Sequence, residues 1–476
     1  MQRYLPDSTL NDVELGSQGP RAEEILNRQQ SPTPDASLCP LKSPTGDFRD
    51  PIPDKLHMSG NEAKPGGAMA GLRILAPRKS ESPLADWLAS CRFSNTHPFA
   101  ASRIQLLGAF SQRILKDPIL RDEPSSVALA YYLRPANITK IATHAQARAK
   151  LDPSVLWVPC GGVFHVAPAN VETFFIYPWA LSYLCGNNNL VRLSLEEQPV
   201  TMRLLECLNT LMETEEELSH TNRFVTYPHD PEITRLFSDW CAHRIIWGGD
   251  EVIRVLRSIP LSPHATERVF GSKFSYAVIS AMSFQEADEA TRQQVISRFF
   301  NDMFWFNQMA CSSPHVVFWV GTKADGARAV AAFNPLLGAE VLRRGYALPP
   351  QLSVRRLSQA FELAIQDDVR VDLKHPGFAS IDVPQLSVLR KEPYGGGLLH
   401  HVQIDRLDRL LEVAAPKDQT IVHFGFHPDE LQSLAFRIGS RGVDRLVPIG
   451  EALTFEVVWD GQDMISDGLR KVVIRC

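Results

Sequence analysis

The sequence predicts an α/β protein with two parallel-sheet units, and three observations carry that expectation. The chain has 476 residues, more than the roughly 250–300 at which one hydrophobic core stops growing, so two or more folded units are required. Short apolar runs alternate with helical stretches from about residue 150, the rhythm of strand–helix–strand units around a parallel sheet. The alternation then resumes near Phe270 with fresh strand candidates, which gives a second α/β unit.

Residues 1–80 precede the folded pattern. Nine prolines fall within residues 1–68, in segments such as "SPTPDASLCPLKSPTGDFRDPIPDK", which carry too little apolar surface to offset the entropy of ordering. A disordered or low-complexity extension is expected there, and Met58 and Met69 near its end point to a translation start later than Met1. From about Ser82 the period changes to helical. "ASRIQLLGAFSQRILKD" sets Ile104, Leu107, Phe110 and Ile114 three or four residues apart, and "SSVALAYYLRPANITKIA" continues the pattern.

The alternating series comes next: "VLWVPCGGVFHVAP" as strand, the helix "VETFFIYPWALSYLC", "NLVRLS", a long helix from Thr201 to Leu218, "NRFVTYP", a helix, and "HRIIWGGDE". This is the pattern of a Rossmann-type sheet. In the second series "FSYAVIS" and "HVVFWVG" read as strands, and "EATRQQVISRFFNDMFWF" as a helix running toward Cys311. The expected division is a helical entry and Rossmann-type unit over 81–268, a second α/β unit over 269–445, and a strand-rich end over 446–476 that closes the structure or pairs with another subunit.

Bulk properties exclude several classes. At 44% hydrophobic, 22% charged and a net charge of −5, there is no basic excess for nucleic acid. The apolar run Thr173–Cys185 is too short for a membrane helix and contains Pro178. The amino terminus is acidic where a signal peptide would be basic and then apolar, so a cytoplasmic protein is expected. Eight scattered cysteines without C-x-x-C pairs indicate neither a disulfide framework nor a zinc site, and most are expected to be inert buried thiols.

One cysteine stands out. In "FNQMACSSPH", Cys311 is flanked by the small residues Ala310, Ser312 and Ser313, so another molecule has room to approach its sulfur. A helix N-terminus after Cys311 would lower its pKa. In "VPCGGVFHVAPANVETFF" a strand ends at Ala167-Pro168 and a loop presents Asn170; "GNNN" then turns into a strand ending at Arg192 and Ser194. Ligands bind at this carboxyl edge in such sheets. The Asn170 amide can donate to an oxygen that becomes negative in a reaction, or it caps a helix starting at Val171. Gly248 and Gly249 in "WGGDE" form either a turn over phosphates at a helix N-terminus or a simple strand-to-helix turn. His165 reads as a packed core histidine. The pair His400-His401 lacks metal-ligand company and reads as a solvated or strand-edge pair.

Together "ALAYYLRPANI", "GGVFHVAPANV", "GNNNLVRLS" and "NQMACSSPH" resemble the bacterial acyl-CoA reductase family that includes the fatty-acid reductase of bioluminescence, within the aldehyde dehydrogenase superfamily. The resemblance runs from about residue 95 to 476. It implies an aldehyde dehydrogenase-like fold, Cys311 as nucleophile and Asn170 as the oxyanion-stabilising amide. "KEPYGGGLL" resembles the superfamily's Glu-x-Phe-Gly segment and puts Glu392 on the nicotinamide ribose. In "VFGSK", Val269 stands where hydrolytic members carry a water-activating glutamate; coenzyme A then suits the acyl-enzyme better than water, with Glu267 as a nearby substitute base. In "RLSL", Leu195 replaces the glutamate of NAD-preferring members, and with Arg192 this favours NADPH.

The expected activity is therefore NADPH-dependent reduction of long-chain fatty acyl-CoA to aldehyde through a Cys311 thioester, with coenzyme A as leaving group, no metal, an acyl-CoA or acyl-carrying protein as donor, and a homo-oligomer as assembly. The alternatives are the oxidative, coenzyme-A-acylating direction, and a non-catalytic acyl carrier within a complex.

Overall fold

The computed structural model describes residues 71–79, 82–168, 170–365, 369–383 and 395–475. The chain divides into two compact units, 1–63 and 64–476, and every described residue belongs to the second.

The first sheet draws on β1 (Arg73–Ala76), β3 (Gly162–Val166), β4 (Asn188–Leu193), β5 (Asn222–Thr226), β6 (His243–Trp247) and β7 (Thr266–Phe270), in the order β1-β5-β4-β3-β6-β7. Every neighbouring pair is parallel except β1 with β5. β3, β5 and β6 are buried along their whole length, because helices cover both faces of a parallel sheet. One face packs the helices Ala101–Lys116, Ile176–Leu184 and Pro199–Met212. The other packs Leu84–Ser90, Pro231–Trp240 and Asp250–Arg257.

A second sheet holds β8 (Phe274–Ser280), β9 (Pro314–Val320), β10 (Arg370–Asp372), β11 (Ala379–Asp382), β12 (Leu398–Ile404), β13 (Asp418–Phe424) and β14 (Arg445–Pro448), ordered β10-β11-β12-β9-β8-β13-β14. It is parallel except at the β10–β11 edge. The helix Glu289–Phe304, capped by the Asp288 side chain on the Thr291 N–H at 2.7 Å, leads toward Cys311. After β14 come the small hairpin β15 (Val458–Trp459) and β16 (Gln462–Asp463) and then β17 (Leu469–Val473). Within the chain β17 pairs antiparallel with β2 (Val155–Pro159), apart from both large sheets.

Several expectations change. "VLWVPCGGVFHVAP" is two strands in different sheets, because Gly161 turns the chain with φ +110 where a Cβ would lie 2.8 Å from the Arg92 carbonyl oxygen. The helix expected from Thr201 to Leu218 is two helices, Pro199–Met212 and Glu216–Thr221. The helix expected at Val171 begins at Ile176, so Asn170 does not cap it. His400 and His401 are neither solvated nor at a sheet edge: both are buried on β12, an interior strand. His165 is the packed core residue expected, hydrogen-bonded through Nε2 to Asn189 Oδ1 at 3.0 Å and held near pKa 4 by burial. Among the described residues no helix is long and apolar enough to cross a membrane.

Candidate active site

In the first sheet β3 is flanked by β4 on one side and β6 on the other, the strand-order reversal at which open α/β sheets bind ligands beyond their carboxyl ends. A cavity of about 590 Å³ opens there. Its walls are the strand ends and the turns beyond them: Pro168 and Asn170 after β3, Arg192, Ser194 and Leu195 at the end of β4, Gly248 and Gly249 after β6, and Ser272 and Lys273 after β7. The loop carrying Cys311 closes it, together with Phe455, Trp459 and Asp460. The floor is a flat aromatic pair, Trp247 on Phe270, with ring centroids 3.7 Å apart and planes 7° from parallel.

The loop between the helix Glu289–Phe304 and β9 is held at several points. Gln308, fully buried, donates through Nε2 to the carbonyls of Pro314 (2.9 Å) and Leu398 (3.0 Å) and accepts at Oε1 from the N–H groups of Gly397 and Leu398, both at 3.0 Å. The Ser275 hydroxyl donates to the Cys311 carbonyl at 2.7 Å and accepts from the Thr420 N–H at 3.1 Å. Cys311 is thus fixed while remaining partly open to the cavity.

No helix follows Cys311; a turn and then β9 do. The expected help from a helix N-terminus is therefore missing, and the thiol pKa is raised, first by burial and then by the Asp460 carboxylate. Opposing this are the backbone N–H of Lys273, the Lys273 ammonium and the Cys311 N–H. Asn170 reaches the same loop: its Nδ2 donates to the Met309 carbonyl at 3.2 Å. An amide nitrogen has two N–H groups, so one is left for a ligand oxygen beside Cys311.

The cofactor candidates Arg192, Ser194, Gly248 and Gly249 all line the cavity. The Arg192 guanidinium lies over the Tyr227 ring at 4.6 Å and donates to the Tyr227 carbonyl at 3.5 Å, with no carboxylate partner among the described residues. Its Nε and the Trp247 Nε1 are buried without hydrogen-bond partners. Gly249 caps the helix Asp250–Arg257, whose first-turn carboxylates are already engaged, Asp250 with Lys417 and Glu251 with Arg254. Glu392 lies outside the described residues.

Glu267 is not a substitute base. Arg244 and Arg257 hold it on β7, and neither it nor Val269 lines the cavity. Sequence reasoning missed Lys273, Gln308 as a brace, and Asp460, for which the strand-rich stretch around it carries no signal. Among the described residues no cluster of His, Cys, Asp or Glu could hold a metal ion.

The family described as "Acyl-CoA reductase (LuxC)" matches residues 146–469, more than half of the chain. The chain belongs to that acyl-CoA reductase family. Its members' chemistry is redox exchange between acyl-CoA and aldehyde, so this acyl-CoA reductase-family chain is an oxidoreductase. Solved structures of low identity share its fold. Methylmalonate-semialdehyde dehydrogenase from Oceanimonas doudoroffii aligns with TM-score 0.59 at 12% identity, covering 82% of this chain and 89% of that one. PnpE from Pseudomonas sp. WBC-3 aligns with TM-score 0.58 at 15% identity, covering 83% and 90%. PnpE in complex with nicotinamide adenine dinucleotide gives TM-score 0.58 at 13% identity, also covering 83% and 90%. The acyl-CoA reductase chain thus has an aldehyde dehydrogenase-like fold. No curated protein matches its sequence.

Proposed function

We propose that the protein reduces a long-chain fatty acyl-CoA to the aldehyde through a thioester on Cys311, with NADPH as reductant and coenzyme A as leaving group. The observation that carries this reading is the shared cavity, where Cys311 and Asn170 face the carboxyl ends of β4, β6 and β7. The Cys311 sulfur attacks the thioester carbonyl, and the free N–H of Asn170 stabilises the oxygen as it becomes negative. Phe174, Phe306, Leu453 and Phe455 give the cavity an apolar wall for an aliphatic chain.

The residues also fit a dinucleotide. Arg192 and Trp247 keep buried donors unused on the cavity wall, a condition that costs free energy unless a ligand satisfies them. Arg192, Ser194, Gly248 and Gly249 would hold the cofactor, with Glu392 assigned to its ribose by resemblance alone. When bound, it supplies the hydride that turns the acyl group into aldehyde. Leu195 beside Arg192 leaves room for a 2′-phosphate.

Labelled acyl-CoA tests the reading. Without reductant it should leave a hydroxylamine-sensitive adduct on Cys311, which NADPH discharges as aldehyde. Cys311→Ser should lower aldehyde formation by several orders of magnitude, since a hydroxyl hardly ionises at neutral pH. Label on Cys160 or Cys185 instead, or a normal rate in Cys311→Ser, would refute the assignment.

A further inference from the structure

Among the described residues Asp460 is the one carboxylate lining the cavity. Part of its presence has a plain cause. Asp460 and Gly461, with φ +48 and +70, form the two-residue turn between β15 and β16, and Asp-Gly suits that turn. The turn does not explain where the carboxylate sits. It accepts a hydrogen bond from Gln419 Nε2, shares the cavity wall with Cys311, and is the strongest ionic influence on the Cys311 thiol. Lys273, Arg445, Asp444 and Tyr177 also act on it from the surrounding elements. Other carboxylates near this edge are committed elsewhere, Glu267 to two arginines and Asp250 to Lys417 and the Ser272 N–H.

We propose that Asp460 is the acid–base group of acyl transfer, taking the Cys311 proton as the sulfur attacks and passing it to the sulfur of the departing coenzyme A. This rests on Cys311 being the nucleophile. The step balances: the Cys311 S–H bond breaks and its S–C bond forms, the carbon–sulfur bond to coenzyme A breaks, and one proton moves between the two sulfurs. Asp460 ends as it began, a carboxylate. Reduction of the acyl-enzyme then takes one hydride and one proton, the proton coming from water and ending on the Cys311 sulfur. A thiol raised by burial needs such an acceptor. Burial also raises the Asp460 carboxyl, aided by Asp444, while Gln419, Lys273 and Arg445 hold it down, which makes its carboxylate a stronger base than an exposed one.

Asp460→Asn in the full chain is the test, because Asn-Gly favours the same turn and asparagine tolerates positive φ. The readouts are single-turnover acylation of Cys311 by labelled acyl-CoA and its alkylation by iodoacetamide, both from pH 5 to 9. Wild-type acylation should fall as pH drops through the Asp460 titration. The variant should acylate about 100-fold more slowly or worse, the usual scale of a lost acid–base group, and should lose that acidic limb. Alkylation should persist or quicken, since the charge that raises the thiol pKa is gone. In Gln419→Leu, which keeps the carboxylate but removes a bond that lowers its pKa, the limb should move to higher pH. Acylation within about threefold of wild type in Asp460→Asn, a parallel loss of alkylation, or an unmoved limb in Gln419→Leu would overturn the role. If wild-type Cys311 takes no acyl label, the proposed function itself fails and this role falls with it.

Discussion

The Cys311 thiol sits between opposing influences, a dry wall and Asp460 on one side, Lys273 and two backbone N–H groups on the other. In the proposed reaction Asn170 would act on the other partner, the carbonyl oxygen. Asn170→Ala removes that donor and also the contact to Met309, so acylation should slow by roughly 100- to 1000-fold, the scale of one lost oxyanion donor. Iodoacetamide should still label Cys311; equal losses of both rates would mean that Asn170 only holds the loop. Leu195, 46% exposed at the cavity mouth, offers a second test. Leu195→Glu sets a carboxylate where the proposed function puts the 2′-phosphate, and a repulsion of about 1 kcal/mol should raise KM for NADPH roughly fivefold while sparing NADH. An unchanged ratio would move the ribose elsewhere. Cys311 and Asn170 were legible as candidates, Cys311 from its small neighbours, Asn170 from its place after a strand end, and both from the family resemblance. Lys273 and Asp460 were not, since they come to line the same cavity as Cys311 only once chain segments remote in sequence have folded together.

At the scale of elements, the loop that carries Cys311 stands on Gln308. Its side chain bonds both the N–H and the C=O of Leu398, the first residue of β12, and so ties the start of that strand to this loop. Gln308→Ala would strand these buried groups and those of Gly397 and Pro314. A loss of at least about 2 kcal/mol is expected, given 1–3 for one unsatisfied buried group, together with lower kcat and retained cofactor binding. Urea unfolding and fluorescence titration with NADPH read the two effects; unchanged stability would mean the loop is held by other contacts. Strand positions were visible because a covered parallel sheet needs continuous apolar runs. The split between β2 and β3 was not, because both strands are apolar and the deciding fact is the space around Gly161. The break after Met212 was hidden in the same way: glutamates on either side are good helix formers, and tertiary packing sets where the second helix starts.

Across the whole molecule, buried histidines tie stability to pH. His165, His243 and His400 are held near pKa 4, and His315 and His401 near 3, in every case first by burial. They sit on β3, β6, β9 and β12, within the two sheets. Each is neutral in the folded chain below its ordinary value of 6.5, whereas the unfolded chain takes up a proton there. The unfolded state then binds more protons, so stability falls as pH drops from about 6.5 toward 4, each fully protonating histidine adding about 1.4 kcal/mol per pH unit. Glu340 acts lower on the scale: drawn down to about 2 chiefly by Arg343 and then Arg344, it gives stability that is lost only below the ordinary value of 4.5. Asp302 opposes the histidines, because burial raises its carboxyl to about 7 and the folded chain then holds a proton that the unfolded chain releases above 3.8. Five histidines outweigh that one carboxyl, so the thermal midpoint should decline as pH falls from 6.5. His243→Gln should make the decline shallower, because its Nδ1 partner, Thr266 Oγ1 at 2.7 Å, can bond an amide that never charges. A midpoint flat between pH 6.5 and 4.5, or a His243→Gln slope equal to wild type, would show that these histidines do not couple folding to acid.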